Sequence, residues 1–169
     1  MTLPPELLAT IADYHSRGYG CSEPEAEPES QEYCAYKFSL NTQSVVFRIA
    51  KTTPTKIGQF VTLWQRSPGP GQPIRPFDVG DAVDLFVVSV GDSVNSGQFV
   101  FPQEALIRRG VVSQGGLGGK RAFRIYPPWT APTSRQAQAT QRWQSEFFES
   151  PATATGEPRS GNGFEEGQP

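Results

Sequence analysis

Catalysis and metal binding need side chains that hold a proton, an ion or a nucleophile, and this chain is sparing with them. Histidine occurs once, at His15. A two-histidine metal site is therefore excluded, and a Ser-His-Asp arrangement would rest on one residue near the N-terminus. Cys21 and Cys34 are the two cysteines, too few for a four-thiolate zinc site or a disulfide framework. A Mg²⁺-dependent nuclease needs two or three carboxylates around the ion and a lysine beside the attacking water. That set usually reads as an acid followed later by acid-x-Lys on one strand face. Neither Asp-x-Lys nor Glu-x-Lys occurs in this chain. Glu32 and Asp84 lie near suitable elements, but no short motif joins them. The run Gly115-Gly116-Leu117-Gly118-Gly119-Lys120-Arg121 suggests a phosphate cradle. Arg121, however, stands where the GxxxxGK[ST] pattern needs a hydroxyl. Such a loop either grips a polymer phosphate with its backbone and its two cations or is a plain hairpin loop. No cofactor and no metal are expected.

Binding chemistry remains, and charge distribution points to it. The net charge is only -2, but it is segregated. Residues 1–32 hold seven acids against Arg17 alone, whereas residues 33–149 hold thirteen basic residues against seven acidic ones. Within that body, 33–77 and 105–145 contain no acid. A basic body with acidic ends is the pattern of a polyanion-binding surface. Lys51, Lys56, Arg66, Lys120, Arg121 and Arg124 are the candidate phosphate partners. Lys51 and Lys56 flank Thr52-Thr53-Pro54-Thr55, whose hydroxyls can also donate to phosphate. Trp64, Tyr126 and Trp129 are interleaved with these cations and could stack bases. Gln59 and Gln98, each in a Gly-Gln-Phe triplet, could reach base or sugar edges. The competing reading places Trp64 and Tyr126 in the core, as expected also for Trp143 and Phe147.

These residues must be positioned by a small domain. The 169 residues are one domain's worth, and 17 glycines with 16 prolines imply a modest core with loose segments. Pro4-Pro5 precedes a helix with Leu7, Leu8, Ile11 and Tyr14 on one face, ending near Gly18. Residues 21–31 are acidic and proline-bearing and read as a linker. Residues 150–169 read as a disordered tail. In the body, Tyr36–Leu40 alternates as a strand and turns at 41–43 into Val45–Ala50. Gln59–Arg66, Asp84–Val90, Gly97–Phe101, Val111–Ser113 and Ala122–Tyr126 complete the strands. Pro102–Arg109 is a short helix stopped by Gly110, and a last helix capped at Thr133 or Ser134 reaches Phe148. The expected class is α+β: a single domain with a mainly antiparallel or mixed sheet flanked by helices. The N-terminal helix spans 1–20 and docks on the 32–149 body.

The segments AKTTPTKIGQFVTLWQR (50–66), GQFVFPQEALIRRGVVS (97–113), GGKRAFRIYPPW (118–129) and QAQATQRWQSEFFE (136–149) resemble, in that order, the MepB family. The resemblance covers about 32–149. It implies a bacterial protein with a fold similar to PD-(D/E)XK nucleases, restriction-endonuclease-like, without implying an active site. Fold alone does not confer activity.

The combined expectation is a non-catalytic nucleic-acid-binding or regulatory protein. It would contact DNA or RNA backbone with weak sequence preference and have no membrane partner. No apolar run approaches the roughly 20 residues of a membrane helix, and no signal pattern opens the chain, so a cytoplasmic location is expected. The rivals are a divergent metal-dependent nuclease and a protein- or small-ligand-binding accessory factor.

Overall fold

The computed structural model describes residues 2–150; the expected tail beyond them lies outside the described residues. The centre is a six-stranded mixed sheet in the order β1-β2-β3-β8-β9-β11. Its strands are β1 (Glu25–Ala26), β2 (Tyr36–Leu40), β3 (Gln43–Ile49), β8 (Leu85–Gly91), β9 (Ser96–Pro102) and β11 (Phe148–Glu149). In β2, Tyr36, Phe38 and Leu40 are buried while Lys37 and Ser39 are exposed, the alternation of a strand with one face covered. A two-residue turn at Asn41-Thr42 leads to β3, with Leu40 opposite Gln43. The strands β3 and β8 run parallel, and the other pairs in this sheet are antiparallel. Both parallel strands are apolar through their middles because both faces are covered.

One face is covered by helix α1 (Pro5–Ser16), with Leu7 and Tyr14 buried. Leu8, expected on that face, is 48% exposed; Thr10 and Asp13 are buried instead. The other face carries a three-stranded sheet in the order β10-β5-β4: β4 (Lys51–Thr52), β5 (Gln59–Thr62) and β10 (Ala122–Ile125). The expected strand 59–66 breaks after Thr62, and β6 (Trp64–Arg66) pairs instead with β7 (Ile74–Pro76). Helix α2 (Gln103–Arg108) ends before Gly110 as expected. Val111–Ser113 is not a strand; Ser113 makes one isolated bridge to Asp78.

Helix α3 (Arg135–Ser145) is capped by Ser134, whose hydroxyl accepts from the Ala137 amide at 3.1 Å. It stops short of Phe148, which joins β11 against β9. Trp143 and Phe147 are half-buried, each with its ring 5.7 Å from Phe101. The fully buried residue of α3 is Gln144. Its side-chain amide accepts from the Tyr126 amide at 2.8 Å and donates to the Arg124 carbonyl at 2.9 Å. It thus closes the open edge of β10 as a strand would.

The acidic stretch 21–31 is not a free connector. Cys21 bridges to Leu40, Ser22 bonds both backbone groups of Ser39, and β1 pairs with β2. Glu27 is buried against Arg48, the one charged residue inside β3. The segment is the edge of the sheet. Its apolar-poor composition concealed this because pairing uses backbone groups and the buried glutamate has an ionic partner.

Candidate nucleic-acid interface

The small sheet has an inner and an outer side set by the two-residue period of β5. Gln59 and Val61 point inward and are buried; Phe60 and Thr62 are partly open to water. Lys51 lies opposite Phe60 on one side, and Arg124 lies opposite Phe60 on the other. The three residues form one row across the outer face. Tyr33, from a single 3₁₀ turn at Gln31–Tyr33, adds a second ring, 6.3 Å from that of Phe60. The Lys51 ammonium lies 4.9 Å from the Tyr33 centroid, and the Arg124 guanidinium lies 5.8 Å from that of Phe60. Cations and rings alternate, each ring holding a cation near it.

Arg124 also fixes the loop after β4. Its Nη2 donates to Thr53 Oγ1 at 2.6 Å, and its Nη1 to the carbonyls of Ile57 and Gly58 at 3.3 and 3.4 Å. Gly58 has φ +83°, and a Cβ there would lie 2.7 Å from the Tyr126 ring, so glycine is required. This loop presents Lys56 to solvent. Of the sequence candidates the fold therefore brings together Lys51, Lys56, Arg124 and Tyr126, and it adds Tyr33 and Phe60. Phe60 was recoverable from the period-two pattern of 59–64; Tyr33 comes from a distant turn and left no local signal.

Lys120 and Arg121 enter β10 at its other end, both exposed. Their backbone is tied down: the Lys120 amide donates to the Val111 carbonyl at 2.9 Å, and the Arg121 carbonyl accepts from the Leu63 amide at 2.8 Å. Arg121 precedes β10, three residues or about 10 Å along the chain from Arg124; by the two-residue period Lys120, not Arg121, falls on the Arg124 side. Among the described residues, Lys51, Lys56, Lys120, Arg121 and Arg124 make no ion pair with a carboxylate.

The other expected contacts are placed elsewhere. Gln59 is buried, and its amide pairs with both backbone groups of Gly91, joining the small sheet to the large one. Gln98 is 1% exposed and accepts from the Thr10 hydroxyl at 2.8 Å beneath α1. Neither glutamine can reach a base. Trp129 packs half-buried on Phe148 at 5.8 Å, and Trp64 is half-buried in β6 opposite Pro76. Arg66 is engaged by Glu29 at 2.8 Å and by the Gln72 carbonyl at 2.8 Å.

The glycine loop is a tight hairpin. Gln114 and Leu117 exchange both backbone hydrogen bonds around Gly115 and Gly116, whose φ values are +59° and +80°. Those are the two left-handed positions of a two-residue turn, which explains the Gly-Gly pair. Its donor is already used: the Gly116 amide bonds Asp78 Oδ1 at 2.9 Å. The Ser113 hydroxyl and the Gly80 amide complete the Asp78 shell at 2.7 and 2.9 Å. These donors, the Gly116 amide foremost, pull the Asp78 carboxyl down to about 2. Beside it Arg75 grips Asp81 with two hydrogen bonds of 2.8 and 2.9 Å. A cavity of about 310 Å³ opens between these groups, lined by Arg75, Asp78, Asp81, Ser113, Gly116 and neighbours. A carboxylate of the chain itself thus occupies the position a phosphate would take at this turn.

Asp84, a candidate metal ligand by sequence, has a structural partner. Asp84 accepts from the Ser44 amide at 2.8 Å and ties the starts of β3 and β8. Among the described residues, no group of three His, Cys, Asp or Glu side chains is placed to hold a metal ion. No helix there is long and apolar enough to cross a membrane.

Comparison with known proteins gives a family. The family model described as MepB-like matches residues 27–150. The crystal structure of MepB is similar at TM-score 0.73 and 32% identity, covering 82% of this chain and 93% of that one. A bacterial homing endonuclease is similar at TM-score 0.48 and 15% identity, over 84% of this chain and 88% of that one. A likeness at that level carries no inference about activity. No curated protein matches the sequence.

Proposed function

The chain belongs to the MepB-like family, and for this member we propose a non-catalytic role: binding nucleic-acid backbone, directly or in regulation. The contacts would be Lys51, Lys56, Lys120, Arg121 and Arg124. The observation that carries this reading is the row Lys51–Phe60–Arg124 on the outer face of β4, β5 and β10, with Lys56 held beside it by the Arg124-pinned loop. Cations on a rigid strand and a clamped loop lose little freedom when they meet a phosphate. Lysine and arginine on phosphates carry no base information, so sequence preference is weak. The rings support this reading only modestly, because their own cations already lie near them.

Fluorescence anisotropy with labelled single- and double-stranded DNA and RNA tests it. Three to five phosphate contacts give a slope of log affinity against log salt of roughly -2 to -4.5. Joint replacement of Lys51 and Lys56 by alanine should weaken binding and flatten the slope. Absence of association with every form at low salt would overturn the reading. A Mg²⁺ incubation belongs beside it: cleavage abolished by Asp84→Ala in a folded variant would instead establish a divergent nuclease.

A further inference from the structure

We propose that the acidic segment and the turn after it form a built-in competitor at the border of the basic face, with Glu29 standing in for a phosphate on Arg66, a phosphate partner additional to the five cations named above. This regulation rests on the nucleic-acid reading above. Glutamates occupy positions 23, 25, 27 and 29, every second residue.

Two of these acids pair with basic residues of the acid-free stretch 33–77, and a third stands in register with one. Glu25 stands opposite Lys37 across β1 and β2. Glu27 is buried against Arg48. Glu29 accepts from Arg66 Nε at 2.8 Å, and this pair is open to water, its side chains 43% and 29% exposed. Beyond Glu29 the chain crosses the outer face of the small sheet. Ser30 Oγ accepts from Thr62 Oγ1 at 3.0 Å, and Tyr33 lies against Phe60 and Lys51.

The segment is thus anchored by the buried Glu27–Arg48 pair and by the part-buried Ser30–Thr62 contact, and between these anchors the Glu29–Arg66 pair is open to water. Exposed ion pairs are weak and readily exchanged. A phosphate that replaces the Glu29 carboxylate leaves Arg66 paired, so the exchange needs no other charge to move. In the unliganded protein the same contact keeps Arg66 from adventitious anions.

The test uses the full chain, a labelled 20-nucleotide single-stranded DNA of mixed sequence, and a salt series. Glu29→Gln frees Arg66 and should tighten binding roughly two- to fivefold at low salt. It should also steepen the salt slope by about 0.7. Glu29→Gln with Arg66→Gln should lose that gain. Glu104→Gln, which removes an exposed acid paired with Arg108 on α2, should not produce it. Binding by the wild type with no change in Glu29→Gln refutes the competitor alone. A gain that survives in the double variant, or that Glu104→Gln reproduces, refutes it too, because net charge then accounts for the effect. If neither the wild type nor Glu29→Gln binds, the nucleic-acid reading fails and the competitor with it. Binding by Glu29→Gln where the wild type shows none supports the competitor most strongly.

Discussion

The two acid-free stretches, 33–77 and 105–145, look alike along the chain and differ in space. In the first, Lys37 faces Glu25, Arg48 is buried on Glu27, Arg66 pairs with Glu29 and Arg75 is gripped by Asp81. Among the described residues, only Lys51 and Lys56 lack a carboxylate opposite or bonded to them. In the second, Arg108 reaches Glu104, Arg109 lies over Trp143 at 5.2 Å, and Lys120, Arg121 and Arg124 make no ion pair among the described residues. A run without acids reports local charge only. The fold supplied counter-charges to three residues of the first stretch from an acidic segment up to 37 residues away and to Arg75 from Asp81, and among the described residues left most of the second unanswered.

The sharpest way to break this comparison lies within the first stretch, between two glutamates two residues apart. Burial, the larger influence, pushes the Glu27 carboxyl up, while Arg48 pulls it down. Burial also lowers Arg48, against the pull of Glu27. The pair is therefore a modest source of stability as it stands. Removing one partner is different, because a buried charge is left alone. Glu27→Ala should lower unfolding free energy by about 3–5 kcal/mol in chemical denaturation, and Glu29→Gln by under about 1 kcal/mol. Equal effects would show that burial does not separate the two.

Next in size is an effect from the second stretch. Gln144 is 0% exposed and satisfies the Arg124 carbonyl and the Tyr126 amide. Gln144→Ala removes both partners and leaves a void, for a loss on the order of 2–4 kcal/mol. Because it also loosens β10, it should weaken nucleic-acid binding without removing a charge. A loss below about 1 kcal/mol would mean that water replaces the amide fully.

The Asp78 shell gives a smaller, local effect with a defined pH window. The carboxyl ordinarily titrates near 3.8 and here is lowered to about 2. A lowered carboxyl contributes stability that is complete above the ordinary value and lost as pH falls toward the lowered one. Amide hydrogen exchange at Gly116 should therefore lose protection between about pH 4 and pH 2. Asp78→Asn should remove that dependence. An unchanged acid profile in the variant would assign the transition to other carboxylates.

These residues also show what was legible in the sequence. Alternation in 36–40, the apolar run of 85–90, the Pro-to-Gly helix at 103–108 and the serine cap of α3 are local signals, and the structure has each of them. The basic candidates Lys51, Lys56, Lys120, Arg121 and Arg124 were legible by type. Their neighbours were not. Gln59, Gln98 and Gln144 carry the same amide that would read a base, and in the fold that amide pairs with buried backbone or a buried hydroxyl. Glu27 looked like linker because a buried ion pair leaves no apolar trace. The break after Thr62 was hidden because Val61 and Leu63 stay buried on either side of it.

The smallest effect separates a paired from an unpaired cation directly. Lys56 has no carboxylate partner among the described residues, so a phosphate reaching it releases a condensed counterion. Lys56→Ala should flatten the salt slope by about 0.7 to 0.9, depending on strandedness. Arg66 is covered by Glu29. A phosphate that displaces Glu29 releases one cation from the nucleic acid, while the freed carboxylate takes one from solution. The two cancel, and Arg66→Ala should change the slope by close to zero even where it lowers affinity. A salt series on both variants and the wild type decides the matter. Equal flattening by both would mean that Arg66 meets its phosphate with full counterion release, so that Glu29 does not stay charged and solvated once displaced. The distinction between answered and unanswered cations would then hold for the free protein and not for the complex.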